Sequence, residues 1–441
     1  MSGDGPSRAA ISAPPGGSEQ RPSASVGAHA PGPLSHLTIL DLSRVLAGPW
    51  CTQLLADLGA TVIKIERPGT GDDTRAWGPP FLKDANGRDT SEAAYYLACN
   101  RGKLSVAVDF TTPAGQRIVR DLAREADVLI ENFKVGGLAK YGLDYASVAA
   151  LNPRLVYASI TGFGQDGPYA DRAGYDFIIQ GMSGFMSVTG ERDDLPGGGP
   201  QKAGVAITDL MTGMYAAVAI LAALAHRDRT GAGQHVDLAL FDSAVAMMAV
   251  MGMNHLVAGT PPGRAGNAHQ NIVPYQVFAC SDGHLILAVG NDGQFAKFCD
   301  VVRHPEWAGD DRFARNENRV RHRATLVPMV AAAIALRTQR DWLAALEAVG
   351  VPCGPINKLD QVFADPQLLA RGMRLDLPHA LAGSVPQINV PVKLSGTPLA
   401  PEHPPPLLAE HTLQVLRERL ALTDDALATL ATDGVIGIRK P

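Results

Sequence analysis

The 441-residue chain has few cysteines, and none of them at a working spacing. Cys51, Cys99, Cys280, Cys299 and Cys353 stand far apart, form no CxxC pair and are odd in number, which excludes a disulfide scaffold and a cysteine-ligated zinc site. They read as free thiols of a protein expected in the reducing cytoplasm. Positive charge is not in excess: 39 Lys and Arg face 44 Asp and Glu, a net charge of −5, so no nucleic-acid partner is expected. No apolar run reaches the roughly 20 residues of a membrane span. The longest, residues 210–225, is free of charge but short, and is expected to be a buried helix of a soluble protein with no membrane partner. The dinucleotide fingerprint GxGxxG is missing after the first strand, where the chain reads DLSRVLAGPWC. That removes the usual basis for a nicotinamide or flavin enzyme. Between His36 and His226 there is no histidine at all.

What is present begins with a stretch of Pro, Gly, Ser and Ala over residues 1–35, which has no periodic apolar face and no secretory apolar core; it is expected to be a disordered tail. From His36 on, β-branched runs alternate with helical periods. LTILDLS (37–43), ATVIKIE (60–66), SVAVDF (105–110), DVLIENF (127–133), RLVYASITGFG (154–164) and HVDLALFDS (235–243) read as strands. GPWCTQLLADLG, PAGQRIVRDLAREA (113–126), a short segment near 145–151 and AVAMMAVMGMNHLVAG read as helices. Near-continuous apolar strands with helices between them predict an α/β protein with a Rossmann-like parallel sheet covered on both faces. The pattern loosens over 246–359, where two short antiparallel strands and a helix predict a smaller α+β domain. Residues 360–441 hold Pro-rich links and a helix pair expected to return to the large domain, which then comprises 36–245 and 360–441.

One residue is out of keeping with its surroundings. Asp209 stands at the head of the charge-free run, in the stretch GVAITDLMTGMYAAVAILAALAHRDR. Three uses compete. A carboxylate at a helix N-terminus is stabilised by free N–H groups and the macrodipole, a purely structural part. The same setting keeps a carboxylate ionised in a dry cleft, where it is a competent nucleophile. Metal ligation is discarded, since no His or carboxylate cluster lies at ligand spacing.

Longer motifs weigh these uses against one another. The segments 40–81, 100–110, 127–133, 151–177 and 206–243, with PPPLLAEHT near the C-terminus, resemble in order the class III CoA-transferases, the formyl-CoA and carnitine-CoA transferase family. GDDTRAWGPPF (71–81) and RAGNAHQNIVPYQVF (264–278) are most similar to its succinyl-CoA:dicarboxylate branch, of the glutarate CoA-transferase type. The resemblance implies a homodimer of two interlocked rings with active sites at the interface, and coenzyme A as a co-substrate with no metal or permanently bound cofactor. It makes Asp209 the nucleophile: its carboxylate forms a mixed anhydride with the donor acyl group, then an aspartyl-CoA thioester that an incoming acid opens. Water must be excluded from such intermediates.

The family's CoA contacts, carried over by motif, fall on Val45, Leu46 and Ala47, Arg67, Val108, Asn132, Phe133, Lys140 and Tyr175. Arg67 and Lys140 are the phosphate candidates, each with a plain surface cation as the alternative. Asp176 matches a second acidic residue near the family's active centre, with a helix cap as the alternative. Arg44 and Arg75 are candidates for the acceptor carboxylate, because a dicarboxylate's far end calls for a fork-like cation. GNAHQNIVPYQ (266–276) stands in place of the glycine run that covers a very small acyl group in formyl-CoA transferases, so His269 and Gln270 are candidates to meet a longer acid. Two other functions share parts of this pattern. α-Methylacyl-CoA racemases need a histidine where this chain has Tyr175, and a non-catalytic acyl-CoA-binding protein would use Asp209 only as a cap.

Overall fold

A computed structural model describes residues 32–439. Six short aliphatic runs form one sheet: β1 (Thr38–Asp41), β2 (Thr61–Glu66), β3 (Lys103–Ala107), β4 (Val128–Glu131), β5 (Val156–Thr161) and β6 (His235–Ala239). Every pairing is parallel and the order is β3-β2-β1-β4-β5-β6. Alternate side chains feed opposite cores, as a period of two dictates. Leu40, Ile63, Ile65, Leu129 and Tyr157 point to one side, whereas Ile39, Val62, Val128, Ile130, Val156 and Ala158 point to the other.

Helix α1 (Ala47–Asp57) and helix α5 (Ile207–Thr230) cover the second face; α2 (Pro113–Glu125) covers the first. α2 starts as its sequence demands, with Pro113 in the first turn and the Thr112 hydroxyl accepting from Gly115 N. Between them lie α3 (Tyr145–Leu151) and α4 (Asp176–Met182). The chain's end returns to the exposed edge of β3: His411 Nδ1 accepts from Ser105 N, Thr412 Oγ1 from Ala107 N, and Val108 bridges to Ile436. Covering an open strand edge in this way satisfies its free backbone groups.

A second core forms between Val273 and Val351. There β7 (Tyr275–Cys280) and β8 (Gly283–Ala288) pair antiparallel, with Cys353–Gly354 alongside, under helices that bury Phe295, Phe298, Leu326 and Trp342.

Three sequence expectations are corrected. The run read as a strand to residue 243 leaves the sheet at Ala239 and is helical from Leu240. The single helix expected over 244–259 is two, α6 (Leu240–Met247) and α7 (Ala249–Ala258), bent by 73° at Ala249, whose φ is 40°. The charge-free run is part of α5, a helix of 24 residues, but it is not buried all round. Thr208, Thr212, Ala216, Ile220 and Ala223 form the inward stripe, while Met214, Tyr215 and Val218 are exposed. α5 is long and apolar enough by composition to cross a membrane. Of the expected tail, only 32–35 lie within the described residues, and they form a turn in which Leu34 N donates to Leu58 O.

Candidate active site

The strand order reverses between β1 and β4, so the loops leaving their C-terminal ends diverge and open a crevice, the place where ligands bind in open α/β sheets. The two loops are clasped to one another. Arg44 N donates to Asn132 Oδ1 at 2.9 Å, and Asn132 Nδ2 returns a bond to Arg44 O at 2.7 Å. Beyond Arg44 the chain passes through Val45, in the left-handed region at φ 71°, and Leu46 into α1.

Asp209 is the third residue of α5 and faces this crevice. Close packing brings the two together. A Cβ added at Gly213, one turn further along α5, would lie 2.6 Å from Ala47 O, so only glycine lets α5 approach the start of α1. A second close approach, between Gly162 after β5 and Gly174, folds the loop that delivers Tyr175 and Asp176 onto the same spot.

Asp176 does not cap its own helix. Its Oδ1 accepts from Thr208 N at 2.8 Å and from Thr208 Oγ1 at 2.6 Å, with Asp209 N at 3.4 Å, and its Oδ2 accepts from Gln180 Nε2. It therefore caps the helix that carries Asp209. The Asp209 carboxylate itself makes no hydrogen bond to any described residue. Burial, and next the negative charge of Asp176, push its pKa up to about 7. This runs against the expectation that a helix N-terminus would hold it ionised: burial and the Asp176 charge both favour the protonated form.

The cleft has two parts. Asp209, Asp176 and Tyr175 share one with Val45, Leu46, Ala47, Asn132 and Phe133; its volume is about 260 Å³. The other, about 240 Å³, is lined by Arg67, Val108, Phe133 and Lys140. Arg44, Asp73 and Phe133 border both. Each part alone is a little below the roughly 300 Å³ typical of small-molecule sites, so a ligand as long as CoA would need both. The nine residues expected at CoA thus line two neighbouring hollows that share Arg44, Asp73 and Phe133 as a common wall. At one end Arg67 and Lys140 are exposed cations, and at the other stands a carboxylate.

Arg44, at the junction, meets Asp73 at 3.2 Å and lies over the Phe133 ring. Arg75 is elsewhere. Its guanidinium is buried, bidentate on Glu66 at 2.8 Å, 3.2 Å from Glu92, and donates to Tyr96 Oη and Pro406 O. With all three nitrogens engaged inside the fold it is not placed to meet an acid, which corrects that expectation. His269 and Gln270 do not line the cleft either: Arg323 donates to both their carbonyls, and Gln270 Nε2 donates to Gly263 O. Sequence reasoning passed over Lys134, Arg172 and Leu240, which line the Asp209 end. Nothing in their local sequence marks them; the folding of the 162–174 loop brings Arg172 in. Among the described residues no group of three or more His, Cys, Asp or Glu is placed to hold a metal ion.

Comparison with known proteins shows the family. Residues 34–412 match the model of CoA-transferase family III. The chain is 54% identical to the succinate–glutarate CoA-transferase of Agrobacterium fabrum over 386 residues, 88% of this chain and 95% of that protein. It is 41% identical to the succinyl-CoA:glutarate CoA-transferase of Homo sapiens over 404 residues, 92% of this chain and 90% of that one. A crystal structure of a CAIB/BAIF family protein from Brucella suis superposes with a TM-score of 0.77 at 51% identity, covering 88% of this chain and 99% of that one. The chain therefore belongs to CoA-transferase family III, enzymes that move coenzyme A between carboxylic acids.

Proposed function

We propose that this enzyme moves CoA from succinyl-CoA to glutarate or a related dicarboxylate, with Asp209 as the covalent carrier. The observation that carries the reading is an aspartate carboxylate free of hydrogen bonds, at the far end of a cleft whose other end holds two exposed cations. CoA lies along that cleft, phosphates toward Arg67 and Lys140, thioester toward Asp209.

An Asp209 oxygen attacks the thioester carbonyl; the C–S bond breaks and CoA thiolate leaves, with a succinyl-aspartyl anhydride behind it. The thiolate attacks the aspartyl carbonyl, succinate departs, and an aspartyl-CoA thioester remains. The acceptor carboxylate displaces the thiolate from that thioester to give a second anhydride. Thiolate attack on the acceptor's carbonyl then releases the new acyl-CoA and restores the Asp209 carboxylate. No proton is transferred in any step, so the chemistry needs no histidine, in keeping with a site that has none. A carboxylate whose pKa is raised is also the stronger nucleophile once ionised. Arg44, at the junction of the two parts, is the cation for the acid's far carboxylate.

An isomerase would need a second free acid–base group beside Asp209. The nearest, Asp176, has both oxygens engaged. The enzyme works as a homodimer of interlocked rings in the cytoplasm. Supporting the dimer are the large apolar side chains left exposed on two helices, Met214 and Val218 on α5 and Val250, Met253, Leu256 and Val257 on α7. The five unpaired cysteines support the compartment.

The test is mass spectrometry of the enzyme after succinyl-CoA, with CoA expected on the Asp209 peptide. Acceptor labelled with ¹⁸O in its reacting carboxylate should pass label to Asp209 and then to the succinate released next. Full turnover by Asp209→Ala, or label from solvent water in that succinate, would overturn the reading. A panel of acids with succinyl-CoA identifies the acceptor.

A further inference from the structure

Among the described residues of the cleft wall, Val45 is the one left-handed residue that is not glycine, at φ 71°. A β-branched side chain disfavours that conformation, so its surroundings must impose it. Both carboxylate oxygens of Asp72 lie 3.3 Å from Val45 N. Asp72 in turn pairs with Lys64 at 3.0 Å, each side chain completely buried. Lys64 Nζ also donates to Ser43 O at 2.8 Å, and Asp72 Oδ1 is held by Thr74 N and Oγ1. One buried ion pair thus grips the same loop at two backbone atoms, on either side of Arg44.

Stability alone is a weak reason for such a pair. Replacing a buried ion pair with apolar side chains of similar volume is often neutral or favourable, so the pair is best explained by the shape it enforces. That shape is the route of the chain into α1, whose start sits on the Asp209 helix at Gly213. We propose that the Lys64–Asp72 pair is a positioning element for the reaction: it holds Val45 left-handed, and so sets the backbone of residues 45–47 against the point where the thioester meets Asp209. The inference rests on the reading of Asp209 as the CoA carrier.

The experiment removes both charges at once with Lys64→Met plus Asp72→Leu, leaving no bare ion in the core, and then adds Val45→Gly, which takes the left-handed conformation unaided. Turnover is counted per Asp209 site that accepts CoA. The double variant is expected to lose about 10- to 100-fold in kcat, the scale of a small misplacement at a reacting centre, with KM for succinyl-CoA little changed. The glycine should restore most of that loss even though it deletes a side chain. A merely structural pair would lower Tm and the number of active sites, leave kcat per site unchanged and show no rescue; that pattern overturns the proposal. If the double variant does not fold, Asp72→Asn, which keeps the shape, is scored with and without Val45→Gly by the same criteria. Absence of CoA on Asp209 in the unaltered enzyme overturns the carrier reading instead, and is separate from any effect of Lys64 or Asp72.

Discussion

Asp176 and Asp209, 33 residues apart, meet at the head of one helix: the carboxylate of the first caps the helix that presents the second. The cap is thus also the charge that makes Asp209 harder to ionise. These two effects come apart on substitution. Asp176→Asn keeps an acceptor for Thr208 but loses the charge, so the acid limb of kcat/KM should move to lower pH. Asp176→Ala loses the cap as well, at about 1 kcal/mol of stability. A limb that stays in place in the asparagine variant would show that the Asp176 charge is not felt.

Asp209 itself should impose a rise of kcat/KM with pH up to about 7, because only its ionised form attacks. Its stability effect has the opposite sense. The folded-state pKa lies above the ordinary value near 3.9, so the folded protein binds the proton more tightly than the unfolded chain between about pH 4 and 7, and stability falls as pH rises through that window. Asp209→Asn should therefore abolish turnover yet be more stable than the unaltered protein at pH 8. The gain is about 2 kcal/mol after allowing for the solvent that reaches this half-buried side chain, and it should vanish at pH 4. Urea denaturation at the two pH values decides it.

Arg75 is a structural cation. Arg75→Met leaves Glu66 and Glu92 in the interior without their counter-ion, and should cost about 3 to 5 kcal/mol. The folded fraction should keep an unaltered KM for the acid. A selective rise in that KM with normal stability would return Arg75 to the acceptor site.

Arg67→Ala and Lys140→Ala act at the other end. Each is expected to raise KM for succinyl-CoA about tenfold, more so at low salt, with kcat unchanged. The same KM for a truncated pantetheine thioester in the unaltered enzyme and the variants would show that the cations serve the phosphates.

Much of the frame was legible locally. The β-branched runs mark the six strands to within a few residues, and Thr112 followed by Pro113 marks the start of α2, because pleat and cap are properties of neighbours in sequence. The bend at Ala249 was not, since no proline or glycine stands at the break and the reading assumed an uninterrupted apolar helix. Arg75 misled for a similar reason. A cation one turn from the cleft looks alike whether it points outward or inward, and the groups that draw it in come from β2, the 89–97 segment and Pro406.

Taken alone, the amino-acid sequence determined the alternation of strand and helix and the charge-free helix with an aspartate at its head, because each depends on residue type and short spacing; the set of motif residues along the cleft came from the resemblance to the CoA-transferase family. Tertiary structure decided what those residues can do. Glycine contacts at 213 and at 162 with 174 bring α1, α5 and the Asp176 loop to one point, and burial there, with the Asp176 charge, raises the pKa of Asp209. Desolvation and through-space charge depend on what surrounds a group in three dimensions, and the linear order of residues does not contain that.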